Sequence, residues 1–379
     1  MKFLDLKRPA RAKLFLAGAL LIALSAGSAK AGPYLLMDVA SGQVIAQENA
    51  FQRWYPASLT KLMTAYVAFR MIQNGDATMQ TPITISAAAA KLPPAKMGYP
   101  AGSQLTLEDA LKIIMVKSAN DVARSIAESL AGSEEGFAAW MNAEAGRLGM
   151  RDTHFVNAHG LHSPEQFTTA RDLAILVRAI RTEFPQYTGL FSIEGILSGK
   201  AKMPNGNPLI GRFPGTDGMK TGYICASGFN LISTATRNGR TLAAIVLGAE
   251  SQTERADKAA ALLTQGFRKG GGGTPITNLR PSGTVSGPVD MSKQICTPEA
   301  IAKRNEKRDK QGRLIFNSPY LAQTPREPRL VQVGLIYSPS AGKTKTANAA
   351  KGVDIGRVVN VPRPRPRPDY APMAYGQGG

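Results

Sequence analysis

The chain has 379 residues, 43% of them hydrophobic and 19% charged, with a formal net charge of +19. That leaves room for one large domain or two modest ones and excludes a wholly disordered, collagen-like or disulfide-scaffold chain. The charge sits at the ends: residues 1–31 hold six Lys/Arg against one acid and 268–379 hold nineteen against seven, whereas 32–267 is nearly balanced at twenty-one against nineteen.

Residues 1–31 read as an export signal. Lys2, Lys7, Arg8, Arg11 and Lys13 precede the uncharged run Leu14–Ala26, and Ala29-Lys30-Ala31 is a small-x-small cleavage site, so the mature chain is expected to start at Gly32. The apolar run is shorter than the roughly 20 residues that cross a bilayer. No Cys follows the cleavage site to carry a lipid. An exported protein, periplasmic or envelope-associated, is expected.

Next come two short apolar runs, Pro33–Val39 and Gln43–Gln47, around Ser41-Gly42, a hairpin pattern. From Ser58 to Ile72 the apolar spacing is helical and free of Gly and Pro. Further helical patterns follow over Thr106–Val116, Asp121–Ala131, Glu135–Leu148 and Ala170–Ile180, with Pro/Gly breaks around 93–102 and 204–218. Gly218–Ile224, Asn230–Thr236 and Leu242–Leu247 read as strands, the last two joined by an Asn238-Gly239 turn, and a helix over Gln252–Phe267 closes this part. The whole is α/β, with a mainly antiparallel sheet covered by helices. Beyond Phe267, Gly270–Gly273 is a linker, and 268–379 is a basic, Gly/Pro-rich tail expected to be mostly disordered, with an extended Pro-Arg repeat from Arg363.

Three motifs carry chemistry: Ser58-Leu59-Thr60-Lys61, Ser118-Ala119-Asn120 and Lys220-Thr221-Gly222. Taken singly, each has an ordinary reading: an N-cap serine with an exposed lysine, a helix-capping turn, an exposed lysine beside a bulge. A second Ser-x-x-Lys, Ser340–Lys343, lies in the Pro-rich tail without a setting for a nucleophile. If Ser58 opens a helix, Lys61 stands one turn on, on the same face. A serine hydroxyl needs a base, and a lysine serves once burial and nearby cations make it neutral. Ser118 and Asn120, on a loop between helices, can relay a proton and hydrogen-bond a peptide group. Lys220 and Thr221 suit a carboxylate, and Gly222 lets a ligand backbone lie against the strand.

Together and in this order, the motifs resemble those of active-site serine penicillin-recognising enzymes. The chain is similar above all to the low-molecular-weight D-alanyl-D-alanine carboxypeptidases, through Tyr55-Pro-Ala-Ser-Leu-Thr-Lys-Leu-Met-Thr64, Asn157-Ala-His-Gly-Leu161, Thr168-Thr-Ala-Arg-Asp-Leu173 and Thr216-Asp-Gly-Met-Lys-Thr-Gly-Tyr223. The resemblance runs from about Tyr34 to Phe267. It implies a penicillin-binding-protein/β-lactamase-like fold with an all-helical subdomain, and three parts: signal 1–31, catalytic domain 32–267, tail 268–379. It also implies an acyl-enzyme on Ser58 with Lys61 as base and Ser118 as relay. Asn120 would orient the substrate amide, Lys220 and Thr221 would hold the terminal carboxylate, and the Ser58 and Tyr223 N–H groups would form the oxyanion hole. The implied substrate is a peptidoglycan stem peptide, with β-lactams as covalent inhibitors and no cofactor. Tyr223 stands where relatives often carry His, and the Pro-Arg repeats cannot form the amphipathic anchor helix common at the family's C-terminus. A DD-endopeptidase uses the same residues. A β-lactamase fits less well, because the second motif lacks its Asp. A non-catalytic envelope-binding protein is the reading from another class.

His154, His159 and His162 lack the carboxylate or Cys partners of a recognisable zinc set, so no metal is assigned. Cys225 and Cys296 permit one disulfide in an oxidising compartment, or remain two free thiols. Gly342-Lys343-Thr344 lacks the earlier glycine of a phosphate loop. The basic tail suits an anionic envelope surface and, outside the cytoplasm, not nucleic acid.

Overall fold

A computed structural model describes residues 32–281, 283, 286–304, 308–310, 312, 314–322 and 327–339. The signal region, Ser340–Lys343, Gly342–Thr344 and the Pro-Arg repeat lie outside the described residues.

Strands β1 (Tyr34–Asp38) and β2 (Gln43–Glu48) form the expected hairpin. A single 3₁₀ turn, Ala57–Leu59, leads into α1 (Thr60–Gln73). A helical subdomain follows: α2 (Ala87–Ala90), α3 (Leu107–Val116), α4 (Asn120–Ala131) and α5 (Glu134–Leu148). It is not purely helical, because β3 (Pro82–Thr84) and β4 (Gln104–Thr106) pair within it. Thr106 and Ser133 cap α3 and α5 through their side chains, and Gly132 and Gly149 end α4 and α5 in the left-handed conformation. Then come α6 (Ala170–Glu183), the short pair β5 (Gly195–Ser198) and β6 (Ala201–Pro204), and the long strands β7 (Thr216–Ile224), β8 (Gly228–Arg237) and β9 (Arg240–Ala249). Helix α7 (Gln252–Arg268) completes the domain.

The main sheet, with β10 (Thr274–Pro275) at one edge, runs β10-β2-β1-β9-β8-β7, every pair antiparallel. Asn238 and Gly239 both take positive φ, the geometry of the two-residue hairpin turn between β8 and β9. Along β9 the side chains alternate. Leu242, Ala244 and Val246 join the cluster that holds Ala256, Ala259, Ala260 and Leu263 of α7, whereas Ala243, Ile245 and Leu247 join the core around α1. Helix α1 is buried nearly all round, with Leu62, Met63, Ala65, Tyr66, Val67, Ala68 and Phe69 fully enclosed. Such a helix is a fixed central pillar, so whatever projects from its first turn is held rigidly.

The stretch assigned to the tail contains ordered elements among its described residues. Its described residues carry β10, α8 (Ser292–Ile295), α9 (Pro298–Arg304) and β11 (Leu330–Val333), the last pairing parallel with β5. A few apolar side chains seat this sparse chain: Ile276, Ile295, Phe316, Leu321 and Val333 are buried. The second fastening is covalent, a disulfide between Cys225 and Cys296 with Cα atoms 5.6 Å apart. The cysteine pair is one of two readings of the sequence, whereas isolated apolar anchors among Gly, Pro and Arg leave no periodicity.

Candidate active site

The three motifs meet at one cleft of about 770 Å³, lined among others by Ser58, Ser118, Asn120, Thr221, Gly222 and Tyr223. Ser58 sits in the 3₁₀ turn just ahead of α1, and Lys61 in the first turn of α1, fully buried. Lys61 Nζ donates to Asn120 Oδ1 (2.8 Å) and to the His159 carbonyl (2.5 Å), and lies 3.0 Å from Ser58 Oγ. A neutral amine has two N–H donors and one lone pair. Both carbonyl-type oxygens can only accept, so in the neutral form the lone pair faces the Ser58 hydroxyl. Burial, and then the nearby charge of Lys220, push the Lys61 pKa well below the usual lysine range, against an opposing pull from Asp121.

Lys220, on β7, is also buried; its Nζ donates to Ser118 Oγ (2.9 Å) and to the Thr221 carbonyl (2.9 Å). Burial, then Arg255, lower its pKa to about 7. Ser118 has a positive φ of 63°, unusual outside glycine, which marks a strained loop position. The residue that caps α4 is Ala119, which has no side-chain cap. Ser118 and Asn120 are therefore released from capping and turned to the site.

Two of the expected site residues also make contacts within the protein. Asn120, expected to orient a substrate amide, accepts from Lys61 through Oδ1 and donates from Nδ2 to the Pro93 carbonyl (3.1 Å). In this structure it positions Lys61. At Gly222, expected to let a ligand backbone lie against the strand, a Cβ would stand 2.9 Å from Pro56 O and 3.2 Å from Ser58 N. The glycine lets β7 close on the turn that carries the nucleophile. Thr221 and Tyr223, on the outer edge strand, line the cleft.

Several contributors were not singled out from sequence. Asp121 is buried and accepts from the Met97 and Gly98 N–H groups, fixing the 93–98 loop beside the site. His159 supplies the carbonyl that holds Lys61, while its ring meets Glu134 at 3.2 Å; burial, then Lys61, lower its pKa to about 3. Gly160, with φ +87°, packs so tightly that a Cβ would overlap the Ala57 carbonyl. Their signal was present as the Asn157–Leu161 stretch, but without a role attached. The other two histidines go elsewhere: His154 Nδ1 bonds the Glu165 carbonyl, and His162 packs edge-on against Tyr55. Arg255, from α7, donates to the carbonyls of Gly222 (3.3 Å) and Asn230 (3.2 Å), bracing the β7 edge.

Comparison with known proteins agrees with this arrangement. A family profile described as D-alanyl-D-alanine carboxypeptidase matches residues 22–251. The D-alanyl-D-alanine carboxypeptidase DacC of Escherichia coli is 36% identical over 252 residues, covering 65% of this chain and 63% of that relative. The chain thus spans somewhat less than two thirds of the length of this curated relative. Among solved structures, penicillin binding protein 6B from Escherichia coli superposes with a TM-score of 0.60 at 35% identity, over 63% of this chain and 77% of that one. Penicillin-Binding Protein D2 from Listeria monocytogenes, solved in an ampicillin-bound form, gives 0.55 at 28% identity, over 62% of this chain and 97% of the other. With its three motifs gathered around one buried lysine, and a profile match across most of the described domain, the chain belongs to the D-alanyl-D-alanine carboxypeptidase family.

Proposed function

We propose that the protein is a serine D-Ala-D-Ala carboxypeptidase that removes the terminal D-alanine from peptidoglycan stem peptides through an acyl-enzyme on Ser58. The observation that carries this reading is the setting of Lys61: enclosed, held by two acceptors, and 3.0 Å from the Ser58 hydroxyl. A protein that only bound peptide would have no use for a buried lysine facing a serine.

In this scheme neutral Lys61 takes the Ser58 proton as Oγ attacks the penultimate carbonyl. The negative oxygen that forms is met by the backbone N–H groups of Ser58 and Tyr223, which Gly222 allows to approach each other. Ser118, bonded to Lys220, gives its hydroxyl proton to the leaving D-alanine nitrogen and is reprotonated by the ammonium of Lys61, which returns to the neutral form. Thr221 and Lys220 hold its carboxylate, and the negative charge favours the charged form of Lys220. Water entering the same position releases the shortened peptide. β-Lactams acylate the same hydroxyl, as the ampicillin-bound relative leads one to expect. Export after cleavage at Ala31 brings the enzyme to this substrate, and the basic tail contacts anionic envelope material.

The test is intact mass after incubation with benzylpenicillin, beside release of D-alanine from a stem peptide. A one-to-one adduct absent in Ser58→Ala, with D-alanine released only by the unmodified protein, is expected. A folded protein that forms no adduct would sink the proposal. Cross-linked peptides in the same assay separate a DD-endopeptidase, which uses the same residues.

A further inference from the structure

One wall of the cleft lies beyond the segment matched by the family profile. Helix α9 contributes Ile301 and Arg304, and Arg308 follows. The helix is held there by Cys296, bridged to Cys225 three residues after Gly222. The bridge is further tied to β7, where the Tyr223 hydroxyl lies 3.3 Å from Cys296 Sγ.

The charge on this side of the cleft is uniform. Arg255, Arg304 and Arg308 all line it, and no carboxylate is among the described lining residues. Arg255 and Arg304 both lie over the ring of Phe229, their guanidinium carbons 5.6 and 5.1 Å from its centroid. Arg304 Nη1 is shielded from solvent and has no hydrogen-bond partner among the described residues. A dry guanidinium N–H lacking an acceptor is costly, and a carboxylate is its best-fitting partner. Phe229 pairs across the ladder with Tyr223, so it stands on the same face of the sheet as Thr221 and Tyr223, while Lys220 faces the other way, toward Ser118. Thr221 is the residue proposed above to hold the leaving group's carboxylate.

We propose that Arg304 is a specificity-determining residue. Carried to the cleft by the disulfide-tethered helix, it reads a carboxylate on the leaving-group side of the peptide and makes the site select free C-terminal acids over neutral ends. The inference rests on the carboxypeptidase reading for where the leaving group lies.

Binding is measured in the Ser58→Ala background, where turnover cannot intervene. The probes are an N-acetylated tripeptide ending in D-Ala-D-Ala, as the free acid and as the C-terminal amide, followed by NMR titration. Arg304→Gln weakens the acid about tenfold, the scale of one charge-assisted hydrogen bond, and leaves the amide within twofold. Arg304→Lys recovers part of the loss, and the paired Cys225→Ser/Cys296→Ser variant shows the same acid-selective weakening. Equal weakening of both peptides by Arg304→Gln, or of neither, overturns the proposal. D-alanine release by the protein with Ser58 intact keeps the two readings apart. If release proceeds while Arg304→Gln leaves the acid preference untouched, the role of Arg304 falls alone. If release fails while the acid preference depends on Arg304, recognition stands and the carboxypeptidase reading falls.

Discussion

Gly222→Ala is a sharp perturbation because its neighbours cannot give way. The added Cβ would lie 2.9 Å from Pro56 O, 3.2 Å from Ala57 Cβ and 3.2 Å from Ser58 N. The Pro56 carbonyl is pinned by the Leu59 N–H (3.1 Å) and by Asn230 Nδ2 (3.3 Å). The relief therefore falls on β7, which must move away from the turn by about half an ångström to reach ordinary van der Waals distance. Donors to an oxyanion work at about 2.7–3.1 Å, and losing one costs about 10²–10³ in rate. We expect acylation by benzylpenicillin to fall about 10²-fold. The packing strain itself costs about 1–3 kcal/mol, a few degrees in Tm for a domain of this size. The assay is the second-order rate of adduct formation by intact mass, beside thermal unfolding. Acylation within threefold of the unmodified protein, at a lowered Tm, would refute the reasoning, because the close approach would then serve packing alone.

Two further predictions concern stability. Lys220 has its folded pKa lowered from 10.5 to about 7, so between those values the unfolded chain binds a proton that the folded one does not, and stability gains with rising pH across that window. Lys220→Met should accordingly raise Tm, with a gap over the unmodified protein that is widest near pH 6 and narrows toward pH 10; a gap independent of pH would contradict the assignment. The Cys225–Cys296 bridge closes a separation of 71 residues, worth about 4 kcal/mol in the chain-entropy view. Paired Cys→Ser replacement should lower Tm by several degrees in non-reducing buffer, and an unchanged Tm would show that the segment docks without its tether.

Much of the domain is legible in the sequence because it is periodic. The β1–β2 hairpin, helices α1 and α3–α7 and strands β7–β9 follow from apolar spacing, caps and the Asn238-Gly239 turn. The site's polar inventory is legible too, because each motif spans no more than four residues. What is not legible is tertiary. Asp121 reads as a first-turn acid that suits a helix N-terminus, and nothing local tells that it is buried against the 93–98 loop. The Asn120 amide is turned inward by an acceptor shortage at Lys61, and the His159 contribution is a backbone carbonyl, invisible to any reading of side chains. The elements beyond Phe267 depend on single anchors and one disulfide, which carry no period.

The Asn120–Lys61 contact has a consequence for why an amide and not a carboxylate belongs at position 120. The two side chains are nearly isosteric, so Asn120→Asp changes charge with little change of shape. It sets an anion about 2.8 Å from Lys61 Nζ, and a unit charge at such range favours the ammonium form by roughly 6 kcal/mol in an effective dielectric near 20. The ratio of neutral to charged Lys61 would fall by about 10⁴, and acylation at neutral pH would fall with it. The same change also loses the bond from Asn120 Nδ2 to Pro93 O, which would slow the reaction by geometry alone. The pH profile separates the two causes. Raising the pH strips the proton that the carboxylate retains, so acylation by Asn120→Asp should climb steeply above neutrality toward the rate of the unmodified protein. A profile parallel to that of the unmodified protein would mean that geometry governs, and that Lys61 does not need to be neutral to activate Ser58.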